Sequence, residues 1–283
     1  MATKEKEIIV LFDEFGTPTF KNNNTSDYFL GVAVLYELSD EDQIFNALDR
    51  LMGLSNSTSL KNDRIENQRA VNIAKQICQH NLYITAKCID LANNILRNNT
   101  ENYTLFGNFS RRIFRGVDER KDAHFLHSQI LGTCLFDVIS RFLEKNTGKH
   151  RFEILIDNWN YPKTDIHIIV DYSTESLQQR LKELHDIDTK TDTQISLEPI
   201  KFLSSPNDKR KRFIDVLTSI ISRSLLAQNN PKFDLQPVNE LRLGLNNKFV
   251  FDHMTAELIN FTHDVMYNDI QETKVKEKSK III

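Results

Sequence analysis

The sequence predicts an α/β fold: five strands alternating with helices in the order ββ(αα)βαβαβα. Three observations carry this. Short apolar runs rich in branched residues recur as IIVLF (8–12), FLGVAVL (29–35) and FEILI (152–156). Between them lie longer stretches whose apolar residues recur at helical spacing. Two of the runs end in aspartate, Asp13 and Asp157, at the strand ends where ligands bind in an α/β sheet.

The elements follow in order. Residues 6–13 read as a buried strand and 28–37 as a second, joined by the Asn-rich TFKNNNTSD as a hairpin-type connection. Two helical stretches come next, near 39–54, with Ser39 as N-cap before Asp40 and Glu41, and near 63–80. LYITAKCID (82–90) alternates and is rich in strand formers. A polar stretch follows, containing SRRIFRGVDERK (110–121), and then a long helix over 123–145, apolar around most of its circumference and so predicted to be buried between layers. The fourth strand is 151–157, followed by a helix at 165–185 and a fifth strand at 193–203 interrupted by Pro199. NDKRKRFIDVLTSIISRSLLA (207–227) reads as an amphipathic helix. Residues 229–250 are punctuated by Pro and Asn and read as a linker, 252–271 as a helix, and the rest as a lysine-rich tail with the apolar tip Ile281–Ile283. The expected organisation is a domain over 1–228, with a helical insertion at about 38–80, and a C-terminal linker, helix and charged tail over 229–283.

Composition narrows the function classes. In 283 residues, 40% are hydrophobic, enough for a sizeable core. A net charge of −3 gives no global attraction to nucleic acid or an anionic membrane, so any polyanion site is a local patch. Cys78, Cys88 and Cys134 form no close pair and sit among apolar residues, as core thiols of a reducing compartment do. The N-terminus MATKEKEIIV is too short and too charged for a signal peptide, and no apolar run reaches the roughly 18–20 residues that span a bilayer. A cytoplasmic protein without membrane contact is expected.

Chemistry concentrates on three acids. Asp13 and Asp157 close two strands that, if adjacent and parallel, present both carboxylates at one sheet edge. Asp215 lies in the helix RFIDVLTSIISRSL, off the apolar stripe of Phe213, Val216, Leu217, Ile220 and Ile221 and on a face with Thr218, Ser219 and Ser222. Converging carboxylates raise each other's pKa unless a cation neutralises them. Few hard oxygen ligands suit Mg2+ or Mn2+, and two such ions can clamp a phosphodiester displacement. Lys209, Arg210, Lys211 and Arg212 occupy the first turn of the same helix, where the macrodipole is already positive. That placement is unfavourable unless an anion is expected, so these four residues are read as holding substrate phosphate, with Arg111, Arg112 and Arg115 extending the groove. His124 and His127 stand at i, i+3 without the HExxH pattern and read as core or groove polar residues.

With these residues in view, the chain resembles the domain of unknown function 3800 family. The resemblance rests on the Asp-Glu-x-Gly strand end, the FLGVAVL strand, the ILID strand and the last Asp-bearing helix, over roughly residues 6–228. It implies a ribonuclease H-like fold, a mixed five-stranded sheet flanked by helices, with a helical insertion after strand 2 and a C-terminal helical extension. It also implies that Asp13, Asp157 and Asp215 match the family's acids and Glu14 the second residue of its DE pair. Phe15 stands where the family usually has Ser, and Lys61 in SLKND is a loose match to a family lysine. Ribonuclease H enzymes often add an acid from the first core helix. Here that helix opens with His124, His127 and Gln129, preceded by Glu119 and Asp122.

The leading expectation is therefore a metal-dependent nuclease acting on RNA or DNA, with Asp13, Glu14, Asp157 and Asp215 as catalytic residues, the three aspartates as metal ligands, and nucleic acid as partner. In strand alternation Glu14 points away from Asp13, so it reads as helper more than ligand. The alternative is a non-catalytic module on the same scaffold, gripping nucleic acid or protein in a defence or mobile-element setting. Hydrolysis of a small phosphate ranks lower for want of a Gly-rich phosphate loop. A homo-oligomer or partner protein stays open.

Overall fold

The computed structural model describes residues 5–16, 28–53, 65–90, 121–157, 163–187, 193–203, 205, 207–227 and 232–254. Strand β1 (Lys6–Phe15) pairs antiparallel with β2 (Tyr28–Glu37), and β2 antiparallel with β3 (Tyr83–Asp90). On its other side β1 runs parallel to β4 (Lys149–Asp157), in the register Leu11↔Leu155 and Phe12↔Ile156. Beyond β4 lie β5 (Gln194–Leu197) and β6 (Lys201–Leu203), both parallel to it; beyond β3 lies β7 (Phe249–His253), parallel to β3. Among the described residues the result is an open mixed sheet of seven strands, in the order β5-β4-β1-β2-β3-β7 with β6 also on β4.

Helices cover both faces, which is why β1 and β2 read as continuous apolar runs. Alternation divides them. Ile8, Val10 and Phe12 point into a core with α3 (Lys121–Leu143) and α4 (Lys163–Ile187). Ile9 and Leu11 point into a second core with α1 (Glu41–Met52), α2 (Asn67–Ile77), α5 (Lys209–Leu226) and α6 (Gln236–Leu245). Helix α3, predicted to be buried between layers, packs against α4 on one side and β2 and β3 on the other. Its approach to β2 is close: a methyl added at Gly31 would lie 2.0 Å from Cγ2 of Ile130. The three cysteines are free thiols, two buried and Cys78 half-buried. Among the described residues no helix is long and apolar enough to cross a membrane.

The structure departs from the sequence reading in several elements. Ser39 does not cap α1: it lies in a short 3-10 turn (Leu38–Asp40), and Asp40 takes the N-cap position without a side-chain bond. The fifth strand is two strands. Pro199 has no N–H to donate, so the chain leaves the ladder and rejoins β4 further along. The 229–250 linker is an element pair, because Pro237 sits in the first turn of α6, where proline is tolerated, and Val238, Leu241 and Leu245 form its buried stripe. The segment read as the start of a C-terminal helix opens instead with the end of β7, whose FVFDH extends the sheet beyond five strands. Lys87 fastens that strand: it donates to Asp252 Oδ2 at 2.7 Å and pairs with Asp137 of α3. The rest of the expected C-terminal helix and tail, and the hairpin connection between β1 and β2, lie outside the described residues.

Candidate metal centre

Strands β1 and β4 are parallel neighbours, so their C-terminal ends lie side by side. Asp13 follows Leu11 by two residues and Asp157 follows Leu155 by two. Both leucines belong to the core under α5, so both aspartates face α5. That helix is held there by Phe213, Ile214, Val216 and Leu217, all buried in the same core, and it turns Asp215 toward the strand ends. Carboxylate oxygens of Asp13, Asp157 and Asp215 all lie within 4.8 Å of one another.

The electrostatics follow from that crowding. Asp13 is only 9% exposed. Burial, then the charges of Glu14, Asp215 and Asp157, raise its pKa well above the usual carboxylate range. Thr218 works the other way. Its hydroxyl is buried without a well-formed hydrogen bond among the described residues, yet it lies close enough to Asp13 to favour the charged form. Asp215 is raised to about 6, first by burial and then by Asp157, with Lys211 opposing. Lys211, a quarter exposed, pairs with Asp157 Oδ1. Burial alone would lower its pKa, but the bond to Asp157 and the fields of Asp157, Asp215 and Asp13 raise it.

Asp215 therefore carries a pH signature. In the unfolded chain it loses its proton near pH 4, in the folded chain near pH 6, so across that window the unfolded state holds fewer protons and stability falls as pH rises. Asp215→Asn lacks this loss. In urea denaturation without divalent ions, the variant should gain about 2 kcal/mol on the wild type between about pH 4 and pH 7. A constant difference across that range would contradict the placement of Asp215.

Glu14 emerges on the other face of β1, as alternation requires, with Oε1 3.5 Å from Nε2 of His127 on α3. His127 is buried and stacks edge-on against Phe29 at 4.9 Å. Glu14 is still near enough for its charge to act on both Asp13 and Asp215. Gly16, at φ 97°, supplies the left-handed turn that follows.

The basic first turn of α5 does not act as one phosphate cradle. Lys209 is exposed. Arg210 makes a two-pronged pair with Glu41 of α1, at 2.7 and 3.1 Å, and Tyr36 donates to the same carboxylate at 2.8 Å. Arg212 is buried, donating to the Gly53 carbonyl at 3.0 Å and to Asn207 Oδ1 at 3.4 Å. The helix end itself is capped by Asp208, which accepts from the Arg210 N–H at 2.8 Å. Much of the anion implied by so many cations is thus internal; Lys211 bonds Asp157 directly, and Arg212 acts on Asp215 by its charge. The expected amphipathic character of α5 is also corrected: its polar face is buried too, the Ser222 and Ser224 hydroxyls bonding back to helix carbonyls at 3.1 and 2.7 Å. Arg111, Arg112, Arg115, Lys61 and Glu119, and the side chains of Asp122 and His124, lie outside the described part of the structure.

The donor set fits a hard divalent cation. It offers three carboxylates from three elements and a buried hydroxyl without a well-formed bond beside them, with Lys211 paired to Asp157 and Arg212 acting on Asp215 as counter-charges. Compared with known proteins, the chain matches no family model and no curated relative. Thr218 and His127 are the neighbours that sequence reasoning left out of the site. Thr218 was legible as i+3 from Asp215, on the same helix face; His127 required the pairing of α3 with β1.

Proposed function

We propose that this chain is a divalent-metal-dependent phosphodiester hydrolase acting on RNA or DNA, with a ribonuclease H-like sheet and kinship to the domain of unknown function 3800 family. The observation that carries the reading is the convergence of Asp13, Asp157 and Asp215 within 4.8 Å at one end of two parallel strands. The strand order supports it, with a central β1 antiparallel to β2 and parallel to β4. In this reading the three aspartates hold Mg2+ or Mn2+, which when bound supplies Lewis acidity and an activated water. Asp13, the most enclosed of the three, would be the shared ligand, with Asp157 and Asp215 completing the set. Glu14, steadied by His127, acts on the site by its charge from the rim. Lys211 offers an ammonium to substrate phosphate, and Lys209 adds an exposed cation on the same first turn of α5.

Labelled RNA, DNA and hybrid duplexes incubated with Mg2+ or Mn2+ test this. Cleavage that requires the ion and disappears in Asp157→Asn is expected. Cleavage that survives in both Asp13→Asn and Asp157→Asn would remove the assignment. A second reading, a non-catalytic nucleic-acid or protein-binding module, draws on the internal pairing of Arg210 and Arg212, which leaves fewer cations for a scissile strand. It predicts oligonucleotide binding that is indifferent to Asp157→Asn.

A further inference from the structure

Lys211 stands in a chemically odd position. Its root is fixed: Arg210 before it is clamped to Glu41, Arg212 after it is bonded to Gly53, and Asp208 caps the helix. Its side chain is not fixed in the same way. A four-carbon stem with three rotatable donors ends at Asp157, with the lysine and the aspartate 24% and 20% exposed, so the ammonium has a direct path to solvent. It approaches Asp157 from the same helix side as Asp215, four residues on, and lies in the field of all three aspartates. An ammonium and a divalent cation would compete for the same carboxylate, because each repels the other in a site only partly open to water.

We propose that Lys211 is the resident counter-cation of the acid cluster, and that a divalent ion loads by displacing it from Asp157, which frees the ammonium for a phosphate oxygen of the substrate. This rests on the metal-centre reading above. It assigns Lys211 a role which that reading lacks: in the resting protein the lysine suppresses ion binding, and it becomes available to substrate only after loading. An ion and a free substrate-facing cation then arise together.

Titration calorimetry with Mn2+ on the full chain, at a pH above the Asp215 transition, tests the competition. Lys211→Met keeps the stem and removes the charge, so its dissociation constant for Mn2+ should fall by about fivefold to tenfold, the worth of one partly exposed ion pair. Lys211→Arg keeps the charge and should bind Mn2+ no more tightly than the wild type. Equal or weaker binding by Lys211→Met overturns the inference and leaves the metal centre standing. Binding by neither the wild type nor the variants overturns the metal centre, and the inference with it. A second measurement needs no variant. Acylation of Lys211 in the wild-type chain, mapped by mass spectrometry, should rise severalfold on adding Mg2+, as the ammonium leaves Asp157. An unchanged rate with Mg2+ demonstrably bound overturns the displacement.

Discussion

Asp13→Asn is expected to slow metal-dependent cleavage by about a hundredfold to a thousandfold, the loss of roughly 3–4 kcal/mol of transition-state stabilisation, while making the metal-free chain more stable. The two effects share one cause. Asp13 is the most enclosed of the three acids, and burial together with Glu14, Asp215 and Asp157 disfavours its charge. Asparagine keeps the shape and has no charge to lose, so it escapes the cost of ionising, or of holding a proton, in this crowded site. The sign follows from linkage: a carboxyl whose folded pKa is raised costs stability once pH passes the unfolded value, and a neutral isostere escapes that cost. Melting curves and single-turnover rates measured together check both halves. Without divalent ion the variant should melt above the wild type. At an ion concentration of about one hundred dissociation constants the wild type should gain roughly 2.7 kcal/mol and the variant little. A variant that melts below the wild type in the absence of ions would mean that Asp13 is stabilised by its surroundings.

Phe213→Ala should carry the largest stability cost, about 3–5 kcal/mol. Phe213 is fully buried two residues before Asp215 and packs edge-on against Phe45 at 5.7 Å and Tyr36 at 6.3 Å. This aromatic group joins α5 to α1 and β2, and Tyr36 also donates to the Glu41 carboxylate that clamps Arg210. Truncation leaves a cavity beneath the turn that presents Asp215. A weaker response to Mn2+ should therefore accompany the fall in urea midpoint. Phe213→Leu, which refills most of the volume, should recover most of both. Full stability in Phe213→Ala would contradict the packing that positions α5.

Strands β1, β2 and β4 were legible because a sheet covered on both faces writes itself as continuous apolar runs, and β3 because its residues alternate and favour strands. The convergence of the acids was legible for a related reason. Two aspartates at the ends of neighbouring parallel strands, on positions of the same parity, can face only one layer, and the helix that fills that layer carries the third. What the sequence hid depends on partners distant in the chain. Arg210 and Arg212 look like a phosphate cradle until Glu41 and the Gly53 carbonyl, well over a hundred residues away, come to meet them. Helix α6 and strand β7 hid behind Pro237 and the asparagines around them, since turn residues mask a short buried stripe and an edge strand has only one neighbour to declare it. The break in the fifth strand was visible at Pro199, but its return to the same edge of β4 was not.

Asp13, Asp157 and Asp215 are expected to form one divalent-metal site. Crystals of the chain grown with Mn2+, measured at the manganese absorption edge, test it most directly. Anomalous density bounded by the three carboxylates is expected, with the Lys211 ammonium withdrawn from Asp157. Manganese bound elsewhere, or a site without anomalous density in which Lys211 still pairs with Asp157 at saturating Mn2+, would contradict it.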